Sequence, residues 1–226
     1  MAETKQSINR YIDSTLLRPG ATAGEVRQLC EEAVENEFAV VCINPSRLSL
    51  ARKILAGSRV GICTVVGFPL GAETTAIKVE QARQALWLGA REIDMVMNLG
   101  LFKDRDYLGV REEIWKTAQL VHDGGGILKV IIETALLSPE EIKAAVSVVS
   151  SAGADYVKTS TGFGPGGANA RDVRFIRAMA PSWLKIKAAG GIRKLAQALE
   201  LMELGADRIG TSSAGAIMQE YRQCLR

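Results

Sequence analysis

Gly89-Ala90-Arg91-Glu92-Ile93-Asp94, Gly153-Ala154-Asp155-Tyr156-Val157-Lys158 and Gly205-Ala206-Asp207-Arg208-Ile209-Gly210 are three copies of one short pattern. In each, a glycine closes a helix, an alanine follows, and a β-type run begins. Repeated helix-to-strand joints imply a repeated βα architecture. Reading outward from them gives eight strand-like segments, short, rich in β-branched residues and followed by turn signals. They are Tyr11–Leu16, Phe38–Ile43, Val60–Val66, Glu92–Met97, Ile127–Ile132, Ala154–Thr159, Leu184–Ala188 and Arg208–Thr211. Their starts lie roughly 22 to 35 residues apart, room for one helix and two loops.

The intervening stretches carry helix signals. Thr22 and Glu25 form a capping box ahead of Val26, Leu29, Cys30, Ala33 and Val34, an apolar stripe of helical period. Ser138-Pro139-Glu140-Glu141 supplies an N-cap, a proline at the first helical position and a capping-box glutamate. Asn169 with Asp172 starts a further helix, which Pro181 ends. Eight strands also fit an open, doubly wound sheet. Evenly sized units and the lack of a polar edge strand favour a closed (β/α)8 TIM barrel, a single α/β domain over residues 1–226.

Composition narrows the function. With 28 basic and 25 acidic residues the net charge is +3, and without a Lys/Arg run this is no nucleic-acid footprint. Small anionic substrates remain compatible. Cys30, Cys42, Cys63 and Cys224 form no C-x-x-C pair, and His122 is the single histidine, so no metal site is expected. His122, at a helix end, suits the helix dipole and reads as structural. No stretch approaches the roughly 18 apolar residues of a membrane span. The N-terminus has no signal-peptide pattern, so a cytoplasmic protein is expected.

Asp94 and Lys158 occupy equivalent places in two copies of the repeat. By strand alternation both face the same way, at similar height. Lys187 lies near the end of the next strand and Asp13 in the first, so two lysines and two aspartates converge on the barrel mouth, where such folds build active sites. The pattern has a chemical use. A free lysine is neutral in only about one molecule in 2,500 at pH 7, and only the neutral amine attacks a carbonyl. Burial and a neighbouring cation favour that form, making Lys158 the candidate nucleophile, Lys187 the cation and Asp94 the proton carrier. Buried ion pairs of the scaffold are the alternative, although such pairs contribute little net stability.

Glycine and hydroxyl clusters surround this mouth: Thr161-Gly162-Phe163-Gly164, Gly190-Gly191-Ile192-Arg193 and Gly210-Thr211-Ser212-Ser213. The last two follow the seventh and eighth strands, the usual phosphate position of such barrels. Gly162, Gly164 and Gly167 also fit G-x-G-x-x-G, but no Asp or Glu lies between Val173 and Leu199, which argues against a dinucleotide.

Val65-Val66-Gly67-Phe68-Pro69-Leu70-Gly71, Glu92-Ile93-Asp94-Met95-Val96, Lys129-Val130-Ile131-Ile132-Glu133-Thr134, Val157-Lys158-Thr159-Ser160-Thr161-Gly162-Phe163-Gly164 and Lys187-Ala188-Ala189-Gly190-Gly191-Ile192-Arg193 occur in this order. With them the chain resembles the class I deoxyribose-phosphate aldolase family over nearly its whole length. The resemblance implies reversible cleavage of 2-deoxyribose 5-phosphate to acetaldehyde and glyceraldehyde 3-phosphate, without metal or organic cofactor. It implies Lys158 as the imine-forming residue, Asp94 and Lys187 as the proton-handling pair, and Gly190, Gly191, Ser212 and Ser213 around the phosphate. Asp13, Thr15, Thr161 and Gly162 complete the expected substrate-binding set. One departure stands in the first strand, Asp13-Ser14-Thr15 where the family often has Asp-His-Thr; alternation turns Ser14 away from Asp13, towards packing. A homo-oligomer, dimer or tetramer, is expected, with Trp87 packing between helices or subunits. Two rivals remain: an aldolase for another sugar phosphate, and a phosphosugar-binding barrel without catalysis.

Overall fold

The computed structural model describes residues 7–225; residues 1–6 and 226 of the expected domain lie outside them, as does the start of the segment read for a signal peptide. The chain order is β1 (Ile12–Leu16), α1 (Ala23–Glu35), β2 (Val40–Ile43), α2 (Leu48–Ile54), β3 (Gly61–Val66), α3 (Thr75–Trp87), β4 (Glu92–Val96), α4 (Leu99–Lys103) and α5 (Tyr107–Asp123). It continues with β5 (Ile127–Ile131), α6 (Pro139–Ser151), β6 (Tyr156–Lys158), α7 (Ala170–Met179), β7 (Lys185–Ala189), α8 (Leu195–Glu203), β8 (Arg208–Thr211) and α9 (Ala214–Cys224). All strands pair in parallel with their sequence neighbours, and β8 closes on β1 through Ile12↔Ile209 and Asp13↔Gly210. The closed eight-stranded barrel expected from the repeat is the fold.

The two capping boxes form as read. Thr22 Oγ1 accepts the Glu25 amide while Glu25 returns to the Thr22 amide, and Ser138 and Glu141 do the same for α6. Asn169 caps α7 by accepting from the Asp172 amide. Two expected strands are shorter than their apolar runs, β2 starting at Val40 and β6 at Tyr156. The ladders nevertheless run on, since Ala39 N donates to Ile12 O and Thr159 N to Lys187 O. Strand ends are soft by a residue or two.

Alternation along the strands builds two interiors. Outward-facing Ile12, Val41, Ile93, Val130, Val157, Ile186 and Ile209 join the helices in one continuous apolar core, each large side chain contributing about 1.5–3 kcal/mol on burial. Inside the barrel, Val40, Cys42, Cys63 and Val65 make a small separate apolar cluster with Leu17 on the β1–β3 side. Much of the remaining interior is ionic, with Tyr156 stacked under Lys129. Trp87 is 79% exposed, which removes packing between helices as its role.

The loop after β3 is anchored from below by buried Lys78 of α3. Its ammonium donates to the carbonyls of Gly71 and Val96 at 2.8 and 2.9 Å and pairs with Glu113 at 2.9 Å. Gly71 has φ +70°, and a Cβ there would collide with the Met97 carbonyl oxygen. Gly71→Ala should therefore cost about 1–3 kcal/mol and lower the melting midpoint by several degrees. A melting curve matching the parent's would show that this loop is not held as described.

Candidate active site

Charged inward positions of six strands, with Cys63 of β3, meet at one point. Asp94 of β4 is fully buried, and its Oδ2 accepts Lys158 of β6 at 2.8 Å and Lys187 of β7 at 2.6 Å. Its Oδ1 accepts Lys129 of β5 at 2.9 Å and faces the Cys63 sulfur at 3.2 Å. Asp13 of β1 pairs with Lys187 at 2.5 Å and with Arg208 of β8. Glu92 of β4 pairs with Lys129 at 2.5 Å and Arg208 at 3.2 Å. Register helps create the cluster, since Asp94 lies beside Lys129 and Lys158 beside Lys187 across the ladders.

Charge follows from geometry. Burial opposes a charge on Asp94, but Lys129, Lys158 and Lys187 outweigh it and hold the carboxyl well below the usual carboxylate range. Asp13 is lowered the same way, with burial outweighed by Lys187, Arg208 and Lys129. Burial favours neutral Lys187 and Lys129, yet the carboxylates around them hold both ammoniums above the ordinary lysine range. The framework of Lys129, Lys187 and Arg208 against Asp13, Glu92 and Asp94 is thus balanced, three cations on three carboxylates. Lys158 is the fourth cation. It has Asp94 as its one carboxylate partner, and it alone of these seven residues lines the cavity above. Removing its proton, as nucleophilic attack requires, leaves a neutral cluster behind.

The cavity holds about 310 Å³ and is walled by residues 15–18, 161–163, 189–193 and 210–212 around Lys158, a size suited to a small ligand. Of the expected substrate-binding residues, Thr15, Thr161, Gly162, Gly190, Gly191 and Ser212 stand on its wall. Asp13 does not: its side chain is fully buried and pairs with Lys187 and Arg208. Ser213 is off the wall too, as the first-turn boundary of α9, a helix that begins without a side-chain cap. Gly190, at φ +91°, turns its backbone against Gly167, whose missing side chain lets Ala168 N reach the carbonyls of Ala189 and Gly190. The apparent dinucleotide motif is thus a packing joint between the β6 and β7 loops. His122 pairs with Asp155 at 2.9 Å, away from this wall.

Four residues escaped the sequence reading. Lys129 sits as a single charge between Leu128 and Val130, and that is the signal that marks it; Glu92 and Arg208, next to Arg91 and Asp207, carry no such mark. Glu133, 3% exposed with φ 43°, accepts the amide and hydroxyl of Thr161 and so sets the loop after Lys158. Cys42, Cys63 and Asp94 bring possible metal-ligand atoms within 4.8 Å of one another. Lys129 already places an ammonium 3.5 Å from Cys63 and 2.9 Å from Asp94, supplying the positive charge such a trio attracts.

Because the aspartates are lowered and the lysines raised, the cluster stabilises the fold fully between about pH 4 and pH 10.4. The contribution falls as pH drops through the folded aspartate values, below that window, and as pH rises through the folded lysine values, above it. Lys129→Met removes a cation that Asp94 and Asp13 share with Lys158, Lys187 and Arg208, and should cost about 1–3 kcal/mol at pH 7. The deficit should shrink towards about pH 3–4, where those carboxylates can take up protons. Denaturant titrations of both proteins across this range test it, and a deficit independent of pH would mean Lys129 serves packing only.

A family model described as DeoC/LacD family aldolase matches residues 9–220. The deoxyribose-phosphate aldolase of Thermococcus kodakarensis is 48% identical over 217 residues, covering 95% of this chain and 97% of that protein. That of Caldanaerobacter subterraneus is 46% identical over 222 residues, covering 98% and 96%. Among solved structures, QR15, an aldolase, superposes with a TM-score of 0.93 at 40% identity, covering 97% of this chain and 98% of that one. The deoxyribose phosphate aldolase of Aeropyrum pernix, described as a unique tetramer, has a TM-score of 0.90 at 34% identity, covering 96% and 92%.

Proposed function

The chain belongs to the DeoC/LacD family of aldolases, and we propose that it cleaves 2-deoxy-D-ribose 5-phosphate reversibly to glyceraldehyde 3-phosphate and acetaldehyde through a Schiff base on Lys158. The observation carrying this reading is that Lys158 alone of the buried charged cluster faces the cavity.

The neutral Nζ of Lys158 adds to the C1 aldehyde of the open-chain sugar, and loss of water gives a protonated imine. Asp94, held ionised, is its counter-ion in place of the ammonium's. The C2–C3 electron pair then moves towards the imine nitrogen to form an enamine, while the C3 hydroxyl loses its proton and becomes the aldehyde of glyceraldehyde 3-phosphate. A group lowered as far as Asp94 is a poor base near neutrality. The C3 proton therefore leaves through a water backed by the Asp94–Lys187 pair. Protonation of the enamine at C2 and hydrolysis of the imine release acetaldehyde and restore Lys158.

The phosphate is assigned to the loops after β7 and β8, around Gly190, Gly191 and Ser212, with Ser213 contributing through the start of α9. An anion there meets backbone N–H groups and the positive end of a helix. Distant phosphate binding orients the reacting carbons. Thr15, Thr161 and Gly162 face the sugar, and Asp13 acts by holding Lys187.

Borohydride added with acetaldehyde should place one ethyl group on the peptide carrying Lys158, in EDTA as in its absence. Persistence of the label in Lys158→Ala would remove the assignment, and loss of turnover in EDTA would move the chemistry to a metal. A phosphosugar-binding barrel without catalysis would bind ligand and trap nothing.

A cytoplasmic homo-oligomer, dimer or tetramer, belongs to the same proposal. The tetrameric Aeropyrum pernix relative supports assembly, and exposed Trp87 offers an apolar contact. No helix among the described residues is long and apolar enough to cross a membrane. Light scattering after size exclusion should give a mass at least twice that of one chain, and Trp87→Glu should shift it down. A parent that elutes as a monomer at micromolar concentration refutes the assembly.

A further inference from the structure

Two arginines stand on the cavity wall, Arg18 after β1 and Arg193 after β7, and no acidic residue lines it. Arg18 is engaged elsewhere. Its guanidinium donates to Oε1 of Glu25, the third residue of α1. The other oxygen, Oε2, accepts the Thr22 amide at 2.9 Å and its hydroxyl at 2.8 Å, the capping box that starts the helix. One carboxylate thus splits its two oxygens between a helix cap and an arginine of the cavity.

The two halves differ in permanence. The cap is local and geometrically fixed. The Arg18–Glu25 pair is half exposed, with side-chain exposures of 51% and 41%, and ion pairs in that setting are weak. The backbone beneath Arg18 is pinned, because its carbonyl accepts from Ala21 N at 3.1 Å and from Asn44 Nδ2 at 3.4 Å. Only the side chain is free to turn. A phosphate dianion in the cavity offers it several acceptor oxygens and bidentate geometry.

We propose that Arg18 is a specificity-determining residue for the phosphorylated substrate, held by Glu25 and transferred to the phosphate when substrate binds, so that Glu25 competes with substrate from inside the protein. The exchange leaves α1 in place, because the Oε2 half of Glu25 keeps the cap. This rests on the substrate reading above.

Glu25→Gln separates the two duties of Glu25, since glutamine keeps a capping box and removes the charge that holds Arg18. Steady-state kinetics with 2-deoxyribose 5-phosphate and with free 2-deoxyribose are compared for the parent, R18Q, E25Q and R18Q/E25Q, with melting curves confirming the fold of each. R18Q should raise KM for the phosphorylated substrate about tenfold, with a far smaller effect on kcat and on the free sugar. E25Q should lower that KM about two- to threefold. The double variant should match R18Q alone, because Glu25 acts through Arg18. If E25Q lowers KM equally with and without Arg18, Glu25 acts as a general field and the competition is overturned. R18Q at the parent KM overturns the proposal while parent turnover keeps the substrate reading. A parent inactive on 2-deoxyribose 5-phosphate overturns both.

Discussion

The carboxylate of Asp94 is the constraint to which the rest of the molecule conforms. It is fully buried and accepts three ammonium groups from three other strands. An isolated carboxylate at that depth would be protonated or expelled. Three lysines keep it ionised, but three lysines on one carboxylate need further negative charge, and Glu92 and Asp13 provide it. Arg208 then binds that second pair of carboxylates to β8. Each step forces the next, until the charges are balanced by everything except Lys158. The residue we propose as the nucleophile is the one left over when the scaffold has satisfied itself.

Much of the fold was legible because its information is local. Capping boxes at Thr22 and Ser138, a C-terminal glycine before each repeated strand and the spacing of β-branched runs are all short-range signals, and all eight strands fell where the runs predict. The site was legible in part. Asp94 and Lys158 were linked by their equivalent places in a repeat, and the wall glycines by clusters after strands. Lys129 and Arg208 were not, because their role depends on which strand lies beside which and in what register. Asp13 was read as a wall residue for the same reason. Alternation says that a side chain points inward; it does not say whether it reaches the cavity.

The two halves of the barrel interior divide structural duty unequally. Val40, Cys42, Cys63 and Val65 form a small apolar plug on one side, where volume-conserving exchanges are tolerated best. On the other side most charges have two or three opposite partners, and loss of Asp94 strands Lys158, which has no second carboxylate. The cavity wall is mixed, with Thr161, Ile192 and Thr211 buried and Arg18, Arg193 and Ser212 exposed. In the function proposed above, chemistry falls to the charged part of the interior and substrate choice to the wall.

Contact between Asp13 and Arg208 joins residues 195 positions apart, and it closes the seam between β8 and β1. This has a consequence for how the chain reaches its native state. A partly assembled barrel that shuts water out before that seam is joined holds charges with no partners, whereas an open one leaves them hydrated at no such penalty. Intermediates that are compact but unclosed are therefore raised in energy relative to both ends of the reaction. Collapse and closure are forced to coincide, and fragments ending before β8 should lack a dry interior of their own.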